Sequence, residues 1–178
     1  MTLGDSKTAS AAWLKTVVAA LPLPSGLVWA LDDGGVSGST VASSAASIAT
    51  VLAGMDDTGD PVSVLCNWGA NDVNVLPAEA TWKANYLAII DACVAKWPQA
   101  KVYLTRPWRR GYAIQCNTLA AWIADIVAAR PGIAFAGDDE RVWLENGDNG
   151  AAMTSDGIHY SAAGQAAKAL QVKTVLGY

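Results

Sequence analysis

Val62-Ser63-Val64-Leu65-Cys66 leads through Asn67-Trp68 into Gly69-Ala70-Asn71-Asp72, and the chain then changes period, placing Trp82, Tyr86, Ile89, Ile90, Cys93 and Val94 before Pro98. The first run is too short for a helix and rich in β-branched and other apolar residues, so it reads as a buried strand. The second repeats every three to four residues and ends at a proline, which reads as an amphipathic helix. Strand, glycine-bearing polar turn, then helix is the unit from which a parallel sheet is built.

The unit recurs along the chain. Thr2 to Gly4, Leu27 to Leu31, Val102 to Thr105 and Ile133 to Ala136 supply four further strands. Helical spacing appears at Leu14, Val17, Val18 and Leu21 before Pro22 and Pro24, at Ala45, Ile48, Ala49 and Leu52, and at Leu119, Trp122, Ile123, Ile126 and Val127 before Pro131-Gly132. A last helix is expected from an N-cap at Ser161 toward Val175. Five strands alternating with helices predict an α/β fold, a three-layer α/β/α sandwich with a five-stranded parallel sheet. The whole chain, residues 1–178, reads as one domain. Strand order is not legible from periodicity.

At 178 residues the chain can bury roughly two-thirds of its unfolded surface without staples. It is 52% hydrophobic, yet no apolar run approaches the ~20 residues of a membrane span, so a soluble protein is expected. The net charge of -4 comes with scattered lysines and arginines and no basic stripe, so no nucleic-acid partner is expected. Cys66, Cys93 and Cys116 are odd in number, lack metal-ligand spacing and lie in apolar stretches, which makes them buried small hydrophobes. No charged-then-apolar leader precedes Gly4, so a cytoplasmic protein and one secreted or excised from a larger protein both stay open. Oligomeric state is not legible.

In an open α/β sheet, ligands bind beyond the carboxyl ends of the strands. Gly4-Asp5-Ser6 follows the first predicted strand, Gly34-Gly35-Val36-Ser37-Gly38-Ser39-Thr40 the second, and Gly69-Ala70-Asn71-Asp72 the third. Asp156-Gly157-Ile158-His159 lies beyond the fifth, which puts four polar motifs on one edge. His159 is the only histidine, so any imidazole base is His159. Asp156 is the natural group to orient it and Ser6 the natural hydroxyl for it to deprotonate.

Taken together, these four blocks resemble the SGNH (GDSL-type) hydrolase/esterase family in identity, order and approximate spacing, from one end of the chain to the other. The first strand is shorter than the apolar run that opens most members. The resemblance implies a flavodoxin-like strand order 2-1-3-4-5 and a serine esterase with Ser6 as nucleophile, His159 as base and Asp156 as the orienting acid. It implies an oxyanion hole from Ser6, Gly38 and Asn71, with no cofactor and no metal. The chemistry of the residues agrees. Gly38 lets a backbone N–H approach a developing oxyanion without a Cβ in the way, and an Asn71 amide adds a donor. A base that must be neutral predicts activity rising with pH around roughly 6.5.

Rival chemistries find less support. Gly35-Val36-Ser37-Gly38 is half of a Gly-x-Ser-x-Gly elbow, but Ser39 stands where its second glycine belongs. One histidine cannot build a His-rich zinc site. Asp56-Asp57, Asp138-Asp139-Glu140 and Asp148 read as solvated loops, and leave paired-carboxylate glycosidase chemistry open. The compact length favours short-chain carboxylic esters, acetyl groups on carbohydrate among them. A thioesterase or lysophospholipase is the alternative within the enzyme class. Eight tryptophans keep open a non-catalytic glycan-binding module on a hydrolase fold. Trp108, Arg109 and Tyr112, after the fourth strand, are candidates for a substrate-binding rim, with a packed Trp108 as the competing reading.

Overall fold

Side chains alternate across a strand, and a sheet covered on both faces needs two separate sets of apolar partners. The computed structural model, which describes residues 1–9, 12–20, 32–55, 63–148 and 152–178, meets that need with helices on each face. In chain order the elements are β1 (Thr2–Gly4), α1 (Ala12–Ala20), β2 (Asp33–Gly35), α2 (Val41–Ala53), β3 (Ser63–Asn67), α3 (Glu79–Lys96), β4 (Lys101–Arg106), α4 (Ala113–Ala129), β5 (Ala134–Asp139), α5 (Glu140–Asp148) and α6 (Ala162–Leu176). All strand pairs are parallel and the order is β2-β1-β3-β4-β5. The α/β architecture and the 2-1-3-4-5 order are those expected. Among the described residues no helix is long and apolar enough to cross a membrane.

The two cores follow from the alternation. Leu3, Val64, Cys66, Val102 and Leu104 face a core shared with Ile48 and Leu52 of α2, Tyr86, Ile89 and Ile90 of α3, and Leu119 and Ile123 of α4. Leu65 and Tyr103 face the other way, onto Trp13, Leu14 and Val17 of α1 and Ala169 and Val172 of α6. All three cysteines are free and buried, as expected of small hydrophobes.

Helix boundaries are set by local chemistry. Thr40 caps α2 reciprocally with Ser43, each satisfying the other's backbone N–H. Ser161 caps α6 by accepting from the Gly164 N–H at 3.2 Å, the cap read in the sequence.

Three expectations change. The second strand was expected at Leu27 to Leu31, which lies outside the described residues; the strand that pairs with β1 is Asp33-Gly34-Gly35, a sequence with almost no strand propensity. Gly35 is a steric requirement of the site. A Cβ on Gly35 would sit 2.3 Å from the Ala9 backbone nitrogen, in the turn that carries Ser6.

The other two changes adjoin each other. β5 runs on through Asp138 and Asp139, and Glu140 opens α5, where a solvated acidic loop was expected. Asp138 is 4% exposed and Glu140 is fully buried. Two buried lysines account for the reversal: Lys168 Nζ lies 2.8 Å from Asp138 Oδ1 and 3.2 Å from Glu140 Oε1, and Lys7 Nζ lies 2.5 Å from Glu140 Oε2. Asp56-Asp57 lies outside the described residues.

β1, though only three residues long, is clamped between two neighbours through the register Gly4↔Gly35 and Gly4↔Asn67. A Cβ on Gly4 would meet Thr8 Oγ1 at 2.2 Å and the Asn67 carbonyl oxygen at 2.5 Å, and the carbonyl cannot swing aside without breaking the sheet. Gly4→Ala is therefore expected to cost about 3 kcal/mol, the upper end of ordinary overpacking. Urea unfolding checks this, and a midpoint equal to that of the native sequence would contradict it.

Candidate active site

Ser6 sits in the turn that leaves β1, where the Asp5 carbonyl accepts from the N–H groups of Thr8 and Ala9, each at 3.0 Å. His159 lies in a closed loop before α6: Thr154 and Tyr160 form an antiparallel bridge, and the Ser155 N–H donates to the His159 carbonyl at 2.9 Å. Within that loop Asp156 Oδ1 accepts the backbone N–H of His159 at 2.8 Å and of Ile158 at 2.9 Å. Gly157 takes φ +86°, a conformation that costs other residues strain, and so lets the chain double back.

The loop brings three side chains into line. Asp156 Oδ2 lies 2.6 Å from His159 Nδ1, and His159 Nε2 lies 2.9 Å from Ser6 Oγ, across 153 positions of sequence. The backbone N–H of His159, with its ring and the Ile158 N–H, holds the Asp156 carboxyl down at about 2. It is ionised at neutral pH and can only accept. The proton on a neutral ring therefore belongs on Nδ1, which leaves Nε2 as an acceptor toward Ser6.

The other expected residues lie on neighbouring loops. Val36 N–H donates to the Gly4 carbonyl at 2.9 Å and Ser39 Oγ to the same oxygen at 3.3 Å, so the loop after β2 is tied to the turn of Ser6. Asn71 Nδ2 donates to the Ser39 carbonyl at 2.9 Å, which ties the loop after β3 to the loop after β2. An amide has two N–H bonds, and this contact uses one. Among the described residues, the backbone N–H groups of Ser6 and Gly38 have no acceptor. A cavity of about 250 Å³ opens beside Asn71, lined by Thr40, Ala42, Asp72, Val75, Trp82 and Asn85 among others.

The expected substrate rim is corrected in part. Trp108 is 5% exposed and packs with Trp13, Leu14 and Tyr160, so it is a core residue. Its backbone explains why: the Trp108 N–H donates to Glu140 Oε2 at 3.1 Å and its carbonyl accepts from Lys7 Nζ at 2.7 Å, so both backbone groups are drawn inward. Arg109 donates to the Ala70 carbonyl at 2.9 Å and lies over the Tyr112 ring. The Arg110 N–H donates to the Gly157 carbonyl at 3.0 Å and its guanidinium to Thr154 Oγ1 at 3.3 Å. The segment after β4 thus braces the loops of Ser6, Asn71 and His159 together.

Sequence reasoning missed Lys7, Glu140, Tyr160 and Lys168. A signal existed for Lys168, which shares a helical face with Gly164 and Val172, both buried. None existed for Glu140, whose acidic neighbours look solvated.

A family model for the GDSL-like lipase/acylhydrolase family matches residues 2–167. No curated protein matches the sequence. Several solved structures share its fold: TesA, with TM-score 0.74 and 22% identity over 99% of this chain and 96% of that one; an acetyl esterase mutant with an acetate ion, TM-score 0.74 and 19% identity over 99% and 94%; and a carbohydrate esterase family 3 protein from Talaromyces cellulolyticus, TM-score 0.70 and 18% identity over 99% and 94%.

The carboxylates beneath the site titrate in opposite senses. Burial pushes Asp5 up from 3.8 to about 6 against the pull of the Lys7 ammonium, and its Oδ2 has no partner among the described residues. The folded chain therefore holds a proton on Asp5 that the unfolded chain has released, and stability linked to Asp5 falls as pH rises through about 6. Burial would also raise Glu140, but Lys7 and Lys168 hold it at about 2, so its contribution is present above 4.5 and is lost as pH falls through about 2. Comparing Tm of the native sequence with Asp5→Asn separates the two. The variant's advantage should grow from pH 4 to pH 7, and a constant difference would contradict the assignment. The blocks around Ser6, Gly38, Asn71 and His159, joined on one edge of a 2-1-3-4-5 sheet, and the match over residues 2–167 lead to one conclusion: this chain belongs to the GDSL-like lipase/acylhydrolase family.

Proposed function

We propose that the chain, as one domain over residues 1–178, is a serine esterase that hydrolyses short-chain carboxylic esters through an acyl-enzyme. The observation that carries this is the relay from Asp156 to His159 to Ser6, with successive separations of 2.6 and 2.9 Å. Ser6 Oγ attacks the ester carbonyl while His159 Nε2 takes its proton, and Asp156 stabilises the imidazolium that forms. The N–H groups of Ser6 and Gly38, together with the second N–H of the Asn71 amide, receive the oxyanion; each such donor is typically worth about 3 kcal/mol in the transition state. His159 then returns the proton to the departing alcohol. In the second half it draws a proton from the water that attacks the acyl carbonyl, then gives that proton to Ser6 Oγ as the bond from Oγ to the acyl group breaks and the acid leaves.

Two points support an esterase over a glycan-binding module. Aromatic platforms for sugar rings have to be exposed, and Trp13, Trp68, Trp82, Trp97, Trp108 and Trp122 are all buried, with Trp143 half-buried and Trp29 outside the described residues. The relay also joins an exposed histidine and carboxylate to a serine, an arrangement that stacking on a glycan would not need. Short acyl groups suit the size of the chain and accord with the acetyl esterase among the proteins of like fold.

Ser6→Ala should lower turnover of p-nitrophenyl acetate by roughly a thousandfold or more while circular dichroism stays native. Equal turnover in the two proteins would refute the mechanism. Across p-nitrophenyl esters the rate should be highest at acetyl or butyryl. A steady climb toward palmitoyl would instead assign a lysophospholipase-like preference, and faster turnover of acyl thioesters a thioesterase.

A further inference from the structure

The contact between His159 and Ser6 cannot hold its own partners in place. The His159 side chain is 47% exposed, and one hydrogen bond near water contributes only about 0.5–1.5 kcal/mol. The residues beside the pair are anchored quite differently. Lys7 follows Ser6, and its fully buried side chain donates to Glu140 Oε2 at 2.5 Å and to the Trp108 carbonyl at 2.7 Å. Its backbone is held as well, with the N–H on Asp5 Oδ1 at 3.0 Å and the carbonyl on Trp13 Nε1 at 3.3 Å. Tyr160 follows His159, and its buried hydroxyl donates to Glu140 Oε1 while accepting from Asn67 Nδ2 at 3.3 Å. Asn67 ends β3, just before the loop of Asn71.

One carboxylate therefore receives the neighbours of Ser6 and of His159 on its two oxygens. Glu140 is in turn fixed to the sheet through Lys168, which also bonds Asp138 at 2.8 and 2.9 Å and Thr105 at 3.3 Å. Two ammonium groups balance two carboxylates. Apolar residues of similar volume would fill this space with less desolvation. What the ionic set supplies is direction, since each bond fixes a distance and an angle that apolar contact leaves free.

We propose that Lys7, Glu140 and Tyr160 form a positioning device, a buried carboxylate that tethers the backbone beside Ser6 and the backbone beside His159 to one point and so sets the register of the Ser6–His159 contact. The inference rests on Ser6 and His159 being nucleophile and base. None of the three residues touches substrate; each acts through its neighbour in the chain.

The test compares Lys7→Met, Tyr160→Phe and the double variant Lys7→Met/Glu140→Gln, with Ser6→Ala alongside, by kcat and KM for p-nitrophenyl acetate and by Tm. Misplacement by about 1 Å commonly costs 100-fold, so kcat and kcat/KM should fall together by about 10- to 100-fold in Lys7→Met and Tyr160→Phe, with KM within about twofold. The double variant restores charge balance and should regain Tm lost by Lys7→Met while kcat stays low. A purely structural role predicts that kcat returns with Tm, and that result would overturn the proposal. Tyr160→Phe changes no charge and decides the matter if Lys7→Met does not fold; unaltered kcat in that variant would equally overturn it. Full activity in Ser6→Ala would remove the mechanism on which the tether depends, a failure separate from that of the tether itself.

Discussion

An ionised carboxylate out of reach of water is tolerated only where hydrogen bonds and opposite charges surround it, and Glu140 is such a group. It receives Lys7, Lys168, Tyr160 and the backbone of Trp108, which come from four separate parts of the chain. Each must arrive with its polar atom aimed at the same place. That demand brings the turn after β1, the segment after β4, the loop before α6 and α6 itself together beneath one edge of the sheet. The acidic stretch from Asp138 to Glu140 becomes core for the same reason: Lys7 and Lys168 replace the water it would otherwise need.

Above this layer, the loops that carry the proposed catalytic groups are fastened to one another chiefly through backbone oxygens. Gly4, Ser39, Ala70 and Gly157 each offer a carbonyl that a group from another loop occupies. A loop edge fastened this way can keep its side chains near water, where a substrate can reach them, without leaving their positions to chance. Pre-organisation of that kind lowers the reorganisation a reaction would otherwise require. It also explains why the segment after β4 turns Trp108 inward and commits Arg109 and Arg110 to neighbouring loops. Its residues complete the brace, and Trp108 has no surface left to present to a sugar.

Much of this was legible in the chain because it is local. Asp156 and His159 stand three residues apart, and their contact follows from the turn that Asp156 Oδ1 itself stabilises. Ser161 marks the start of α6 by its own hydroxyl. Apolar runs announce β3, β4 and β5, though β5 continues through residues that look like a loop. β2 was not legible because Asp33-Gly34-Gly35 has no strand signal; it is a strand through pairing with β1, and Gly35 answers to the close approach of the Ser6 turn.

The sequence by itself determined the alternation of strands and helices, the family, and the identities of Ser6, Asp156 and His159 as the residues to watch, since each is carried by a period or motif a few residues long. Only the tertiary structure decided that Asp138 and Glu140 are buried, that Trp108 belongs to the core, and that Lys7 and Tyr160 meet at one carboxylate. Those facts depend on atoms 20 to 133 positions apart in the chain. The charge of a side chain can be read from its letter, but the electrostatic environment that makes its burial tolerable exists only once the distant partners have been folded around it.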